Sequence, residues 1–255
     1  MNAASPAPAL ISVLDTYLRT YHRHEVQADE MLPDTPCLVV ANHGFGGALD
    51  LNAMVLAVVL DKLVESRPIT FLVHQVAWTF KLGWLIEPLG CRPGSQESVD
   101  AGFAAGHHVA VFPGGDIEAA KPYSERNVVK FDGRTGFARV AIEHDVPIVP
   151  VVTAGAGESV FVLNDGQRLA KLLRLPQLMR AKSLAVSLSI PWGLNVGLVG
   201  MALPYIPLPT KLVTAVLPPM RAYEGESAEA FAGRVHGVMQ AKMDELTAGR
   251  TPVIG

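Results

Sequence analysis

Charge is scarce in this chain. Asp, Glu, Lys and Arg make up 18% of its 255 residues, against about 25% in an average soluble domain. Neither sign is in excess: 21 Lys and Arg stand against 24 Asp and Glu, a net charge of -3. That balance gives no reason to expect nucleic acid. Cysteine is almost absent. Cys37 and Cys91, both in apolar settings, make no disulfide framework and are expected to be reduced, buried thiols. The first residues, Met1-Asn-Ala-Ala-Ser-Pro-Ala-Pro8, lack the basic region and long apolar core of a secretory signal, so the expectation is a cytoplasmic chain. No Gly-x-Ser-x-Gly nucleophile elbow is present, which excludes an ordinary α/β-hydrolase. No phosphate-cradling Gly-x4-Gly-Lys-Ser/Thr loop is present either, and Gly155-Ala-Gly-Glu-Ser159 lacks the third glycine of a dinucleotide fingerprint. Internal repeats and low-complexity segments are absent.

One long uncharged stretch does occur. Residues 183–210 hold no Asp, Glu, Lys or Arg, which is length enough to span a bilayer. Pro191, Pro204, Pro207, Pro209, Gly193, Gly197 and Gly200 interrupt it, so the reading is one strand over 185–190 and then an irregular apolar segment lining a cleft or lying at an interface. Just before it, residues 163–184 are Leu-rich and basic, with Arg168, Lys171, Arg174, Arg180 and Lys182. That pattern fits an amphipathic helix on a membrane surface, or equally a solvated helix face.

The rest alternates strand-like and helix-like patterns. Apolar residues at helical spacing over 10–21 follow a tail at 1–9, giving an N-terminal amphipathic helix that packs on the core or lies on a membrane. Apolar runs at 38–41, 69–73, 108–112 and 147–152 read as buried strands, with a last strand at 211–217. Helices are expected at 51–60, at 78–86 (apolar nearly all round), from a Ser95 cap to about 105, at 136–145 and at 227–246; residues 89–94 read as a turn, and 121–134 as a polar loop on the rim of a site. The fold class is α/β, a mostly parallel central sheet flanked by helices, with residues 1–32 as an N-terminal appendage and 33–255 as the main domain.

Chemistry concentrates at two strand ends, where open α/β sheets bind ligands. The first is Asn42-His43, followed by Gly44, Gly46 and Gly47 and then Asp50 at the start of a helix. A carboxylate there fixes the tautomer of a His and stabilises its imidazolium, which makes a general base. Alone, such a pair also reads as a structural His and a helix cap. The second is Phe112-Pro-Gly-Gly-Asp-Ile-Glu118, whose Gly114 and Gly115 let a ligand approach the backbone while Asp116 and Glu118 offer polar contacts. The same segment is also what a tight turn with solvated acids looks like. His74, at the end of a strand, reads as a structural His or as a second polar group of the same cleft. His107 and His108 face opposite sides of theirs and make a poor metal pair.

These blocks, in this order and over roughly residues 37–155, resemble the glycerolipid acyltransferase family. The resemblance implies that His43 takes the proton of an acceptor hydroxyl, that Asp50 orients His43, and that the hydroxyl attacks the thioester of acyl-CoA or acyl-carrier protein. The amides of Gly114 and Gly115 are then the expected donors to the oxyanion. It implies no cofactor and no metal, a lipid acceptor, and a peripheral or monotopic place on the cytoplasmic face of a membrane. Two departures stand out. Six residues separate His43 from Asp50, where most of the family has four. Gly114 and Ile117 stand where the glycerol-phosphate enzymes have the Glu and Arg of Phe-Pro-Glu-Gly-Thr-Arg. Losing that Arg, a phosphate clamp, points to a neutral acceptor such as a mono- or diacylglycerol or a long-chain alcohol. Arg92 and Lys121 remain candidates for holding a phosphorylated one. The longer spacing also keeps open a non-catalytic, lipid-binding relative.

Overall fold

Four consecutive apolar residues, Leu38, Val39, Val40 and Ala41, are all buried, and they form the middle strand of the molecule. Ten strands are seen among the described residues of this computed structural model, which covers 8–28, 31–46, 50–64, 67–74, 78, 83–179, 182–197, 199 and 203–255. They are β1 (Glu25–Ala28), β2 (Leu38–Ala41), β3 (Ile69–Val73), β4 (Cys91–Pro93), β5 (His108–Val111), β6 (Ile148–Ala154), β7 (Phe161–Asn164), β8 (Val186–Ser189), β9 (Gly193–Val196) and β10 (Val213–Val216). Seven make the central sheet in the order β1-β10-β6-β2-β5-β3-β4. β6, β2, β5, β3 and β4 run parallel; β10 is antiparallel to β6 and parallel to β1.

A parallel sheet buried on both faces needs no polar alternation, and β2 illustrates why. Leu38 and Val40 face one layer with Phe137, Val140, Phe231 and Met239. Val39 and Ala41 face the other with Leu56 and Leu60. The helices among the described residues are α1 (Pro8–Tyr21), α2 (Leu51–Leu63), α3 (Gly83–Ile86), α4 (Gln96–Ala104), α5 (Gly115–Ala119), α6 (Gly136–Glu143), α7 (Gln167–Leu172), α8 (Leu175–Met179) and α9 (Ala228–Thr247), and α2, α6 and α9 supply these residues. In α9, Phe231, Val235, Met239 and Met243 recur every fourth residue and are buried, each contributing about 1.5–3 kcal/mol of burial. Ser227 caps it by accepting from Ala230 N at 3.2 Å. Helix α1 buries Ile11 and Leu18 against Leu51, Val55 and Val58 of α2, so the N-terminal helix packs on the core.

Several expectations change. Glu25–Ala28, read as part of an N-terminal appendage, is an edge strand of the main sheet. Residues 89–94 contain strand β4 as well as a turn: Phe71 N donates to Gly90 O at 3.0 Å and Gly94 N to Val73 O at 2.8 Å. The basic helix over 163–184 does not form. Its first residues belong to β7, and α7 and α8 are separate short helices broken at Arg174, which has φ 56. A continuous helix would drive the ring of Pro176 into the carbonyl of Leu172; the break moves Pro176 to the second residue of α8. Residues 185–196 form a hairpin, β8–β9, which β7 extends to a second antiparallel sheet in the order β7-β8-β9. Residues 1–7 of the expected tail, 47–49 of the Gly-rich loop, 79–82 of the expected apolar helix, Arg180 and Gly200 lie outside the described residues. No helix among the described residues is long and apolar enough to cross a membrane.

Candidate active site

The site grows from the carboxyl end of β2. Asn42, buried, ties that end to β6: its Oδ1 accepts from Thr153 N at 2.8 Å and its Nδ2 donates to Thr153 O at 3.2 Å. Asn52 Nδ2 donates to Asn42 O, joining the first turn of α2 to the same point. His43 follows, with Phe112 from the end of β5 stacked on its ring at 4.4 Å and 24°.

Asp50 caps α2, and its Oδ1 accepts from Asn52 N at 2.8 Å and Ala53 N at 3.3 Å. Its other oxygen, Oδ2, lies 2.7 Å from His43 Nδ1. An ionised carboxylate only accepts, so Nδ1 carries the proton, and in the neutral imidazole Nε2 keeps its lone pair. The six-residue spacing therefore still brings the two side chains together. Two glycines make the path possible. A Cβ on Gly44 would fall 2.6 Å from Ala156 Cβ, and one on Gly46 would fall 2.4 Å from Ala119 Cβ. Gly46 N also donates to Ala119 O at 3.0 Å, fastening the loop to α5.

Glu118 and Lys121, expected on the acceptor side, sit behind the histidine. Both are buried. Glu118 Oε2 accepts from His43 N at 3.0 Å, and its Oε1 accepts from Lys130 N at 3.0 Å. Lys121 Nζ donates to His43 O and to Val128 O, each at 2.8 Å, and lies 3.6 Å from Glu118 Oε1. The main chain of His43 is thus gripped at both its N–H and its C=O. Burial pulls the Lys121 ammonium below its ordinary value, against the opposing pull of Glu118.

The Phe112-Pro-Gly-Gly turn lies alongside. Gly115, at φ 50, donates its N–H to Phe112 O at 3.2 Å, and a Cβ on Gly114 would fall 2.2 Å from Lys130 O. Asp116 faces outward to a partner that sequence reading missed. Its Oδ1 lies 3.0 Å from Arg134 Nη2, and its Oδ2 accepts from Lys182 N at 2.6 Å. Arg134 also donates to Pro113 O at 2.9 Å, which lays a cation across the turn from a loop eighteen residues further on. Arg92 lies elsewhere. It sits on β4, three strands from β2, about 14 Å by strand spacing, and donates to Glu87 O and Cys91 O.

Tyr205 is the other residue the sequence left unmarked. It is buried, with its ring edge-on to Phe45 at 5.5 Å. Burial, reinforced by the charge of Asp50, raises its hydroxyl pKa. Tyr205 lines an apolar cavity of about 390 Å³ together with Leu14, Tyr17, Leu51, Met54 and Ile206. Leu51 places that cavity beside Asp50.

His107 and His108 are engaged in the scaffold. His108 Nδ1 accepts from Cys37 N at 3.2 Å and lies 3.0 Å from Cys37 Sγ, and His107 Nδ1 lies 3.0 Å from Thr70 Oγ1. His74 is exposed at the end of β3.

Comparison with known proteins gives four likenesses. A family model described as Acyltransferase matches residues 23–154. A Gallus gallus protein named "DGAT1/2-independent enzyme synthesizing storage lipids" is 31% identical over 175 residues, 66% of this chain and 50% of that one. An uncharacterized Mycobacterium tuberculosis protein is 27% identical over 249 residues, 93% of this chain and 65% of that one. The chain thus spans half to two thirds of these relatives' lengths. Among solved structures, the 1-acyl-sn-glycerophosphate acyltransferase PlsC of Thermotoga maritima superposes with a TM-score of 0.53 at 16% identity, over 94% of this chain and 80% of that one. That likeness establishes the fold.

Proposed function

The chain belongs to the acyltransferase family, and on that premise we propose that it moves a fatty acyl group from a thioester, acyl-CoA or acyl-carrier protein, to a hydroxyl of a lipid acceptor. His43 Nε2 takes the hydroxyl proton while the oxygen attacks the thioester carbon. Asp50 stabilises the imidazolium that results. The tetrahedral oxyanion is met by backbone N–H groups of the Phe112-Pro-Gly-Gly turn. Gly115 N already closes that turn onto Phe112 O, so Gly114 N is the donor we favour. The C–S bond then breaks, and the leaving thiolate takes the proton from His43. The reading needs no cofactor and no metal. The observation that carries it is the 2.7 Å contact between His43 Nδ1 and Asp50 Oδ2, because it leaves Nε2 basic beside the turn.

The acceptor in this reading is neutral. Ile117 is buried and brings no charge to the position where the phosphate-handling branch has Arg. Arg134, the cation laid across the turn, is engaged by Asp116 at 3.0 Å. The name of the chicken relative, which speaks of storage lipids, suits that choice. The apolar cavity beside Leu51 is where an alkyl chain would lie. A phosphorylated acceptor is the second reading, and Arg134 is the observation that favours it. A binding relative without turnover is the rival of another class. The reading places the protein peripherally on the cytoplasmic face of a membrane.

The test is transfer from labelled long-chain acyl-CoA, and from the carrier-protein thioester, to lysophosphatidate, glycerol-3-phosphate, monoacylglycerol, diacylglycerol and a long-chain alcohol. Transfer to a neutral acceptor, reduced about 10³-fold or more by His43→Ala, is the expected result. Transfer only to phosphorylated acceptors, with a KM raised by Arg134→Gln, would select the second reading. No transfer from either donor would leave the binding relative.

A further inference from the structure

The second sheet is built inside out. An antiparallel sheet with one face on the core buries its apolar residues and turns polar ones to water. In β7-β8-β9 the buried side is partly polar and the open side is apolar. Ser187 and Ser189 are buried, and Asn195 Nδ2 approaches Ser187 Oγ at 3.3 Å and Ser189 Oγ at 3.4 Å on that inner side. On the outer side, Phe161 pairs across to Leu188, and Leu188 pairs across to Leu194. Leu188 is 49% exposed and Leu194 66%, and Leu163, Ile190 and Val196 are exposed as well. Trp192 stands in the turn of the hairpin, 46% exposed, with Nε1 donating to Pro204 O at 2.6 Å. Single exposed apolar residues are ordinary, but a continuous cross-strand patch marks a contact surface.

The charges around the patch indicate what it contacts. From residue 166 to residue 210 the sequence has Arg168, Lys171, Arg174, Arg180 and Lys182 and no Asp or Glu. Lys182 is paired with Asp132. Arg168, Lys171 and Arg174 are exposed and have no carboxylate partner among the described residues. They lie on α7 and the turn after it, in the segment that leaves the end of β7 and returns to the start of β8, so the cations border one end of the sheet. A second copy of the chain seated on this face would bring the same unpaired cations toward one another. An anionic bilayer surface would satisfy both the apolar face and the cations. A Trp whose ring is partly exposed while its N–H is bonded suits the headgroup level.

We propose that the outer face of the β7-β8-β9 sheet, tipped by Trp192, is a lipid-docking face that seats the protein on anionic membranes. On the acyltransferase reading, on which only this consequence rests, docking brings the dyad to the lipid. The inner side of the same sheet packs Val160 and Val162 with Phe45 and Tyr205, and Phe45 is two residues from His43.

The test is sedimentation of the whole chain with vesicles of phosphatidylcholine, with and without phosphatidylglycerol, and it does not depend on catalysis. The chain is expected to bind the anionic vesicles more tightly. Leu188→Thr with Leu194→Thr, both exposed and compatible with a strand, is expected to weaken that binding about tenfold with the unfolding midpoint unchanged. With Trp78 and Trp84 replaced by Phe, the fluorescence of Trp192 is expected to be quenched by bromolipids. Equal binding by the double variant, or no quenching, overturns the proposal. So does a lipid-free dimer that the double variant turns into a monomer, because the face would then join two copies. Vesicle binding that behaves as expected in a chain that transfers no acyl group would sink the proposed reaction and leave the docking face standing.

Discussion

Asp50 divides its carboxylate between two tasks: Oδ2 holds His43 Nδ1 at 2.7 Å, while Oδ1 caps α2 through Asn52 N at 2.8 Å. From sequence Asp50 reads either as a helix cap or as a partner of His43, and in the structure its carboxylate makes both contacts. The two tasks separate by mutation. Asn caps helices as well as Asp, so Asp50→Asn is expected to change stability by less than about 1 kcal/mol. It lacks the charge that stabilises the imidazolium and can favour the wrong tautomer, so kcat is expected to fall about 10³-fold. Asp50→Ala should lose a similar factor in kcat and about 1–2 kcal/mol of stability as well. Denaturant midpoints beside kcat for the two variants check this, and equal stability loss in both would show that the cap does not depend on a side-chain acceptor.

Glu118 and Lys121 are both buried, and together they hold the main chain of His43. Removing one member strands the other charge out of water. Lys121→Met or Glu118→Leu alone is expected to cost about 3–5 kcal/mol. The double variant should cost less than the sum of the two, because no charge is left unpaired. Its kcat should stay low, since neither the N–H nor the C=O of His43 is then gripped. A double-mutant cycle on unfolding free energy decides the matter. Additive single effects would mean that the 3.6 Å approach of Lys121 Nζ to Glu118 Oε1 is incidental.

The parts of this fold that were legible in sequence share a feature: apolar runs bounded by a capping residue. The apolar runs gave five strands of the main sheet, Asp50 at a helix start gave its place beside His43, and the segment read as a helix over 227–246 is α9. The misread parts lack such a signal. Three of the four residues of β1, Glu25, Val26 and Gln27, are exposed, so no buried run announces the strand. β4 has three residues and ends in proline. The hairpin β8–β9 was half missed because glycines at 193 and 197 read as breakers and its large side chains point outward. Polar residues near the motifs were harder still. Nothing local says that Glu118 and Lys121 lie behind the His43 loop, or that Arg134 crosses the Phe112-Pro-Gly-Gly turn from a separate loop.

Two buried histidines make the fold sensitive to acid. His24 donates to or accepts from Thr214 Oγ1 at 2.9 Å, and His108 Nδ1 takes the Cys37 amide. Burial lowers each to about 4 from its ordinary 6.5, with nearby cations, Lys62 for His24 and Arg67 for His108, adding to the effect. The folded pKa lies below the unfolded one, so the unfolded chain takes up the proton first. The stabilisation is therefore complete above about pH 6.5, falls as the pH drops toward 4, and is gone below that. Each site is worth about 3 kcal/mol over that window. Urea unfolding from pH 7 to pH 4 should show the loss, and His108→Gln should flatten part of the slope. A slope unchanged by that variant would remove His108 from the account.

Glycine substitutions separate positions where the backbone needs glycine from positions where it does not. A Cβ on Gly44 would stand 2.6 Å from Ala156 Cβ and 2.7 Å from the Ala156 carbonyl carbon, closer than packed atoms allow. Gly44→Ala must therefore displace the chain between His43 and Asp50 or the turn after β6. A cost of about 1–3 kcal/mol is expected, with a loss in kcat larger than any change in KM, because the dyad geometry moves and the cavity beside Leu51 does not. In α9 the reverse holds. Gly233 and Gly237 would present a Cβ to open space in a helix that runs from Ala228 to Thr247. Each Gly→Ala there should stabilise the chain by about 0.5–1 kcal/mol and leave kcat unchanged. Thermal midpoints and initial rates of the three variants, measured side by side, test both arms. A Gly44→Ala protein as stable and as active as the wild type would mean that the loop can reach Asp50 by another path, and the close approach to Ala156 would then not be what sets the dyad.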